Sequence, residues 1–270
     1  ALKMGAVTVT GDVKLGVAEL TAQIVVQGLD VNLASAPAGT TPVRLDWTKA
    51  FDLDGDGQFD DVVNPGALLP TPVNLAIDYA ASLQVRLRGT LTGTAAEATW
   101  DSNVDGDTTD ATDPLANVLL KVGDVRLTGS AQFALEISSV KADVDGAGAG
   151  PLLDARLLQF ALTVNELGVY VKDVAGLKVS GQLALASLTP VALTDLRSWT
   201  ALKMGAVTVT GDVKLGVAEL TAQIVVQGMD VNLASAPAGT TPQRLEWTKA
   251  FDLDGDGQFD DVVNPGALLP

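Results

Sequence analysis

The chain has 270 residues, a formal net charge of −16 at pH 7, and neither cysteine nor histidine. The missing side chains exclude a disulfide framework, zinc or haem sites built on thiolate or imidazole, and nucleophilic catalysis by Ser-His-Asp or Cys-His sets. The negative charge argues against binding to nucleic acid or anionic lipid. Because no run of about 18 apolar residues occurs, the sequence predicts no membrane span.

Alternating apolar and polar residues predict the first strand at AVTVTGDVKLGV, residues 6–17, where Val7, Val9 and Val13 share one parity. The same alternation returns at residues 83–93, 125–137 and 177–188. A period of two is typical of half-buried strands. It predicts an all-β fold of long antiparallel strands, arranged either as one continuous curved sheet or as abutting β-sandwich units.

Each of these segments carries a glycine in its interior. A glycine there weakens a strand unless it makes a bulge or lets two backbones approach closely. We interpret these positions as bends that curve the sheet, and the alternative is coincidence in a glycine-rich chain. The glycines are Gly11, Gly89, Gly129 and Gly181, with Gly211 in a second copy of the first segment. Near the end of this region, TPVALTDLRSW at residues 189–199 predicts one short helix.

Aspartate accounts for 27 of the 33 acidic residues, and five of them fall within DLDGDGQFDD at residues 52–61. The string matches D-x-D-x-D-G-x-x-D, in which alternate carboxylates converge on a cation and glycine permits the turn. Without a cation these carboxylates would repel one another, so we predict a calcium site rather than an ordinary Asp-Gly turn. The predicted ligands are Asp52, Asp54, Asp56, Gln58 through its carbonyl, Asp60, and Asp61 as a substitute ligand.

A second loop, DSNVDGDTTD at residues 101–110, keeps most of this spacing. Its predicted ligands are Asp101, Asn103, Asp105, Asp107 and Asp110, with Asp113 nearby. A third loop at residues 143–154 retains only Asp143, Asp145 and Asp154, and we do not expect it to bind metal. Trp47 and Trp100 precede the two stronger loops, and we interpret both as core anchors.

These loops resemble the calcium loops of dockerins, integrin-type repeats and thrombospondin type 3-like repeats in bacterial tandem-repeat surface proteins. The resemblance covers about ten residues per loop and implies calcium, not a fold. The first loop departs from the EF-hand pattern because position 12 is Val63 instead of glutamate, and because no predicted helix flanks it.

Residues 201–270 repeat residues 1–70 with three differences. Leu29 corresponds to Met229, Val43 to Gln243 and Asp46 to Glu246. We interpret residues 1–200 as one complete unit and residues 201–270 as the start of the next unit in a tandem array. The alternatives are one duplication of the ends or an engineered overlap. The repeat predicts another calcium loop with ligands Asp252, Asp254, Asp256, Gln258, Asp260 and Asp261.

Three functions are compatible with these features. The first is a structural, calcium-stiffened repeat of an extracellular filament, surface layer or adhesin stalk, whose partners are neighbouring units and laterally associated chains. The second is a calcium-dependent module of a surface adhesin that binds a glycan or a protein. Only 12 residues are aromatic and they are not clustered, so we rank it second. An enzyme ranks last, because the carboxylate pairs that glycoside hydrolysis needs are assigned to metal.

Overall fold

The computed structural model describes residues 1–15, 18–37, 40, 42–107, 109, 114–146, 151–215 and 218–270. Within them, thirteen strands join in one sheet and all their pairings are antiparallel. The all-β prediction is therefore confirmed. The strands are β1 (Leu2–Met4), β2 (Val7–Leu15), β3 (Ala18–Val31), β4 (Leu83–Gly93), β5 (Ala95–Glu97), β6 (Leu115–Val122), β7 (Val125–Ala142), β8 (Leu153–Val171), β9 (Ala175–Pro190), β10 (Ser198–Met204), β11 (Val207–Leu215), β12 (Ala218–Val226) and β13 (Met229–Ser235).

The sheet is a meander in which each row of strands pairs with the row before it and the row after it. The first row is β1 with β2, both paired to β3. β4 and β6 together fill the row between β3 and β7, and β5 adds a short pairing to β6. β8 and β9 follow in order. Sequential antiparallel neighbours are what short connections and alternating apolar patterns favour.

The sheet continues across the boundary between the two copies. β9 pairs with β10 from Leu188↔Trp199 to Leu183↔Met204, and with β11 from Ser180↔Thr208 to Ala175↔Val213. The last rows, β12 and β13, then pair with β11 and β10. Of the two arrangements that the sequence left open, this chain has the continuous sheet.

The predicted helix at residues 189–199 is wrong. β9 extends to Pro190 and β10 begins at Ser198, so the segment is the turn of a hairpin. Within that turn the Arg197 side chain makes three hydrogen bonds to the Asp195 carboxylate, the shortest of 2.6 Å. Pairing of Trp199 with Leu188 fixes the chain reversal, and this tertiary pairing overrides a weak helical pattern. The described helical segments are 3-10 turns at Pro65–Leu68 and Pro265–Leu268, and no described helix is long and apolar enough to cross a membrane.

Three of the interior glycines lie beside irregularities of the strand register, as a bulge requires. The strand register shifts beside Gly89, beside Gly129 and beside Gly181. A β-carbon at these positions would collide with Phe133 and the Val25 carbonyl, with Leu167, or with Val207, respectively. Gly11 and Gly211 lie in regular ladders with no close contact, so the interpretation is wrong there.

The long segments after β3 and β13 fold over one face of the sheet and form the core with it. In the first copy, Trp47 packs on the buried Ile77, Tyr79 and Leu83. In the second copy, Leu245, Ala250 and Phe251 pack on residues of β7–β10, which belong to the unit before it. That cluster also contains Ala142, Ala155, Leu157, Ala186, Leu188 and Trp199.

Candidate metal centre

The first Asp loop is a closed turn held by its own carboxylates. The Asp61 backbone N–H donates to the Phe51 carbonyl at 3.1 Å, which brings the two ends of the loop together. Asp52 accepts hydrogen bonds from the N–H groups of Gly55 at 2.8 Å and Gly57 at 3.0 Å. Both glycines have positive φ, +78° and +89°, a conformation that glycine adopts without steric cost. The aspartate and glycine spacing thus determines the turn.

This turn brings together three of the predicted ligands. Carboxylate oxygens of Asp52, Asp54 and Asp61 lie within 4.8 Å of one another. Asp61 also accepts hydrogen bonds from the backbone N–H groups of Leu53 at 2.5 Å and Asp54 at 3.1 Å. Asp61, which the sequence suggested only as a substitute ligand, is therefore one of the three clustered carboxylates.

Two other predicted ligands of this loop, Asp56 and Asp60, are outside that group of carboxylates. The Asp56 carboxylate accepts hydrogen bonds from the backbone and side-chain nitrogens of Gln58, at 2.8 and 3.0 Å. Neither Asp56 nor Asp60 belongs to the group of carboxylates within 4.8 Å. The aspartate spacing therefore identified Asp52 and Asp54 as members of the group, but Asp56 and Asp60 do not belong to it.

The second copy reproduces the centre. Asp252, Asp254 and Asp261 form the same group of three carboxylates. The backbone N–H groups of Leu253 and Asp254 donate to Asp261 at 2.5 and 3.0 Å. As in the first copy, Asp256 pairs with Gln258 and, like Asp260, stands outside the group. Two identical loops in different surroundings show that local sequence determines this geometry.

Electrostatics in both loops favour a cation. Like charges separated by a few ångströms repel unless a cation lies between them. In the part of the chain that the structure describes, no lysine or arginine forms an ion pair with these six carboxylates. Clustered oxygen ligands without nitrogen or sulfur suit a hard cation such as calcium. The arrangement can therefore hold a metal ion.

The described residues of the 101–110 loop make hydrogen bonds like those of the first Asp loop, but their carboxylates do not form a group of three. Asp101 accepts the Gly106 N–H at 2.8 Å, as Asp52 accepts that of Gly57, and the φ of Gly106 is +91°. Asn103 donates to the Asp105 carboxylate at 2.9 Å. The Asp107 carboxylate accepts the backbone N–H and the hydroxyl of Thr109.

Among its described residues, the 101–110 loop forms no group of three carboxylates. Asp110 and Asp113 lie outside the described residues. The third loop does not bring its aspartates together either. Asp143 accepts the Gly146 N–H at 2.9 Å, whereas Asp154 forms an ion pair with Lys141 at 2.8 Å.

Trp47 and Trp100 are core anchors, as predicted. Trp100 is buried with Leu115, Val118 and Tyr170, and Arg126 stacks over its ring at 4.9 Å. Burial raises the pKa of Tyr170 to about 12, with a smaller contribution from the charge of Glu166, so this hydroxyl stays neutral. The Trp47 indole N–H donates to Asn32 at 3.1 Å.

Sequence reasoning missed Asn32 and Tyr79, which attach the long loop to the sheet. The buried Asn32 amide donates to the carbonyls of Leu45 and Ala80, and Asn232 donates to Leu245 in the same way. The Tyr79 hydroxyl lies 3.0 Å from an Asp30 carboxylate oxygen. Burial and that carboxylate raise the pKa of Tyr79 above its ordinary value, so it remains a donor. In VNLAS, Asn32 alternates with the apolar Val31 and Leu33, so the pattern predicts an exposed side chain and gave no signal for its burial.

Comparison with protein-family models, curated proteins and solved structures found no match for this chain. Function therefore has to be inferred from the sheet and the Asp loops.

Proposed function

We propose that this chain is a structural, calcium-stabilised tandem-repeat component of an extracellular filament, surface layer or adhesin stalk. One observation carries the proposal: β9 pairs along its length with β10 and β11, so one copy joins the next by the same backbone pairing that operates within a unit. Repeats that bury surface only against their neighbours can be extended indefinitely. Such a sheet suits a mechanical or scaffolding role.

The partners proposed are neighbouring units of the same chain, with lateral association of sheets. Support for lateral association comes from a row of apolar side chains that crosses the sheet on one face. Strand register aligns them as neighbours, and each is only half-buried. The row consists of Leu29, Leu87, Leu135, Phe160, Leu185 and Leu202.

Calcium is the proposed cofactor of the loops at residues 52–61 and 252–261. Three clustered carboxylates without a basic partner support this. An open, largely exposed loop fits the roughly 0.1–1 mM affinities of extracellular calcium modules, which supports the extracellular localisation. A ligand that binds only the folded state stabilises it by about 2.7 kcal/mol at a hundredfold excess over Kd.

Neither a binding module nor an enzyme is proposed. Phe59 is the one aromatic side chain that is mostly exposed in the described part of the chain. Recognition of glycans or proteins usually uses several aromatic side chains on one surface, and no such cluster forms here.

Small-angle scattering of chains with two, four and six 200-residue units tests the array. The described residues of one unit form six rows of strands, and rows are about 4.8 Å apart. Each added unit should therefore lengthen the particle by up to roughly 29 Å at constant cross-section. A radius of gyration that instead grows as the cube root of mass would indicate globular packing and contradict the proposal.

A further inference from the structure

A pocket of about 360 Å³ lies between the sheet of the first unit and the second Asp loop. Residues of β7 and β8 line one side of it, and residues of that loop line another. All of its lining residues fall between Ser82 and Phe259, so neither end of the chain is part of it. We call it the junction pocket, and its polar and aromatic side chains include Glu136, Ser138, Lys141, Gln159, Asp252 and Phe259.

Two polar side chains that line the junction pocket are buried without a partner. Ser138 is 7 % exposed and Gln159 is 8 % exposed. Within the part of the chain that the structure describes, neither the Ser138 hydroxyl nor the Gln159 side-chain amide forms a hydrogen bond. Leaving a buried donor or acceptor unpaired is costly, so a molecule inside the pocket is needed to pair with these groups.

The charged side chains of the junction pocket already have partners. The Glu136 carboxylate accepts a hydrogen bond from the Arg86 guanidinium at 2.7 Å, and the Lys141 ammonium donates to Asp154 at 2.8 Å. The Asp252 carboxylate accepts two backbone N–H groups and belongs to the second group of three carboxylates. Among the described lining residues, the buried groups left unpaired are thus a neutral hydroxyl and a neutral amide, which favours a neutral ligand.

We propose that the junction pocket binds a neutral polyhydroxylated molecule of the size of one sugar ring. The Gln159 amide both donates and accepts hydrogen bonds, and so does the Ser138 hydroxyl, so together they can pair with neighbouring hydroxyl groups of one ligand. The half-buried Phe259 ring offers a face on which the C–H bonds of such a ring can pack. The volume is near the lower end of the roughly 300–1,000 Å³ of small-molecule sites, which suits one ring better than a long chain.

Water alone is the simplest alternative occupant. A water site needs only about 10–15 Å³ of probe-occupied volume and about two to four polar partners. The junction pocket is far larger, and Val140, Leu152 and Phe259 give it an apolar lining that offers water no hydrogen bond. A cyclic polyol matches both the polar and the apolar part of the lining.

The inference goes beyond the proposed structural role and does not depend on it. One chain contains the whole pocket, where the first unit meets the second copy. The site also differs from a recognition surface with several aromatic side chains, because one aromatic ring and two hydrogen-bonding groups would hold a single small ring.

The test is an NMR titration of the full chain, in calcium, with methyl glucoside, methyl galactoside and myo-inositol as probes. The side-chain amide of Gln159 is the reporter, assigned by its absence from the spectrum of Gln159→Leu, and backbone amide shifts give the affinities. Gln132→Leu is the matched control, since Gln132 is half-buried on β7 but does not line the pocket. Lactose carries a second ring on its galactose, so it should bind if the natural ligand is the end of a glycan and fail to bind if it is a free sugar.

We expect at least one probe to shift the Gln159 amide signals, with one site per chain. Gln159→Leu and Ser138→Ala should each weaken binding by about tenfold or more, because a ligand hydroxyl then loses its partner. Gln132→Leu should bind as the parent chain does. Gln159→Leu should keep the parent melting temperature, since an apolar side chain of similar size replaces an unpaired amide, and Ser138→Ala decides if that variant does not fold.

Three results would overturn the inference. Absence of any shift would mean that the pocket holds water only. Two equivalent sites per chain would place binding at the Asp loops, and equal affinity of Gln159→Leu and the parent chain would place it elsewhere. Scattering of multi-unit chains is independent of these results, so it separately decides the proposed function.

Discussion

The first and second copies of the repeated sequence have the same local structure in different surroundings. Both pair residues 7–15 with 18–26, or their equivalents, in identical register, and both close the Asp loop with the same hydrogen bonds. Their burial differs because different strands lie against them, β4 and β6 against the first copy and β9 against the second. Asp30 is 6 % exposed between β1 and β4, but Asp230 is exposed. Local sequence thus determines the hairpin and the Asp loop, and the strands alongside determine the core.

The largest expected difference in the free energy of unfolding is between Leu245→Ala and the equivalent change Leu45→Ala. Leu245→Ala leaves a cavity in a buried cluster, and such changes cost about 2–5 kcal/mol of unfolding free energy. Leu45→Ala changes a side chain that is 46 % exposed, and exposed substitutions usually stay within about 0.5 kcal/mol. Urea unfolding followed by tryptophan fluorescence measures both. Equal losses would show that the second loop does not depend on the preceding unit.

An intermediate effect is expected when one calcium ligand is removed, and the two copies should lose calcium affinity to the same extent. Asp61→Asn and Asp261→Asn should each weaken one of two equivalent sites by about tenfold or more, the lower end of losses seen for groups that support a metal ligand. Asp60→Asn is the matched control, since it makes the same charge change outside the carboxylate cluster. Titration calorimetry with calcium measures the affinities.

Chelation extends the same comparison to stability. Removing calcium with a chelator should lower the melting temperature of the parent chain, and the Asp61→Asn, Asp261→Asn double variant should show little further response. If Asp60→Asn weakened binding as much as Asp61→Asn, the cluster would not be the binding site. Absence of calcium heat in the parent chain would remove calcium from the proposed function.

The sequence predicted the all-β class and located β2, β4, β7 and β9, because their period of two is local. It did not separately identify the long strands β3 and β8. The sequence also located the Asp loops, whose glycines and aspartates act within ten residues. It did not predict that β4 and β6 share one row, because β5 and the Asp101 loop separate them in the chain. Nor did it rank Asp61 above Asp56, since that difference depends on where the loop closes on Phe51. Long-range pairing decided the first outcome, and one sequence contains no direct record of it. The second outcome was decided inside the loop by backbone geometry that residue spacing alone does not give.

Cross-strand charges were missed for the same reason. Asp30, Arg86 and Glu136 are consecutive neighbours across the sheet, and the Arg86 guanidinium donates to Glu136 at 2.7 Å. These residues are far apart in the chain, so their alternation of charge becomes visible only when the register is known. Opposite charges at facing positions also stabilise that register.

The smallest expected effect concerns the ion pair of Lys3 with Asp78, a residue that has no counterpart among residues 201–270. Lys3 donates to Asp78 at 2.9 Å, whereas Lys203 forms no ion pair with any residue that the structure describes. Burial raises the pKa of the Asp78 carboxyl, but the hydrogen bond and charge of Lys3 outweigh it, and the pKa is lower than its ordinary value. The pair therefore stabilises the fold above the ordinary aspartate pKa, and this contribution is lost as the pH falls through the lowered value.

Because Asp78 is more than half exposed, the pair should contribute about 0.2–1 kcal/mol at most. Lys3→Ala should reduce the free energy of unfolding by that amount at pH 7, and by less at a pH below the ordinary aspartate pKa, because protonation of Asp78 removes the ion pair. Lys203→Ala should change it little at either pH. Urea unfolding at both pH values separates the contributions, since the rest of the chain titrates equally in all three proteins. A pH-independent loss in Lys3→Ala would mean that Lys3 acts through packing on the Tyr79 ring, 5.5 Å from its ammonium group, instead of through the charge of Asp78.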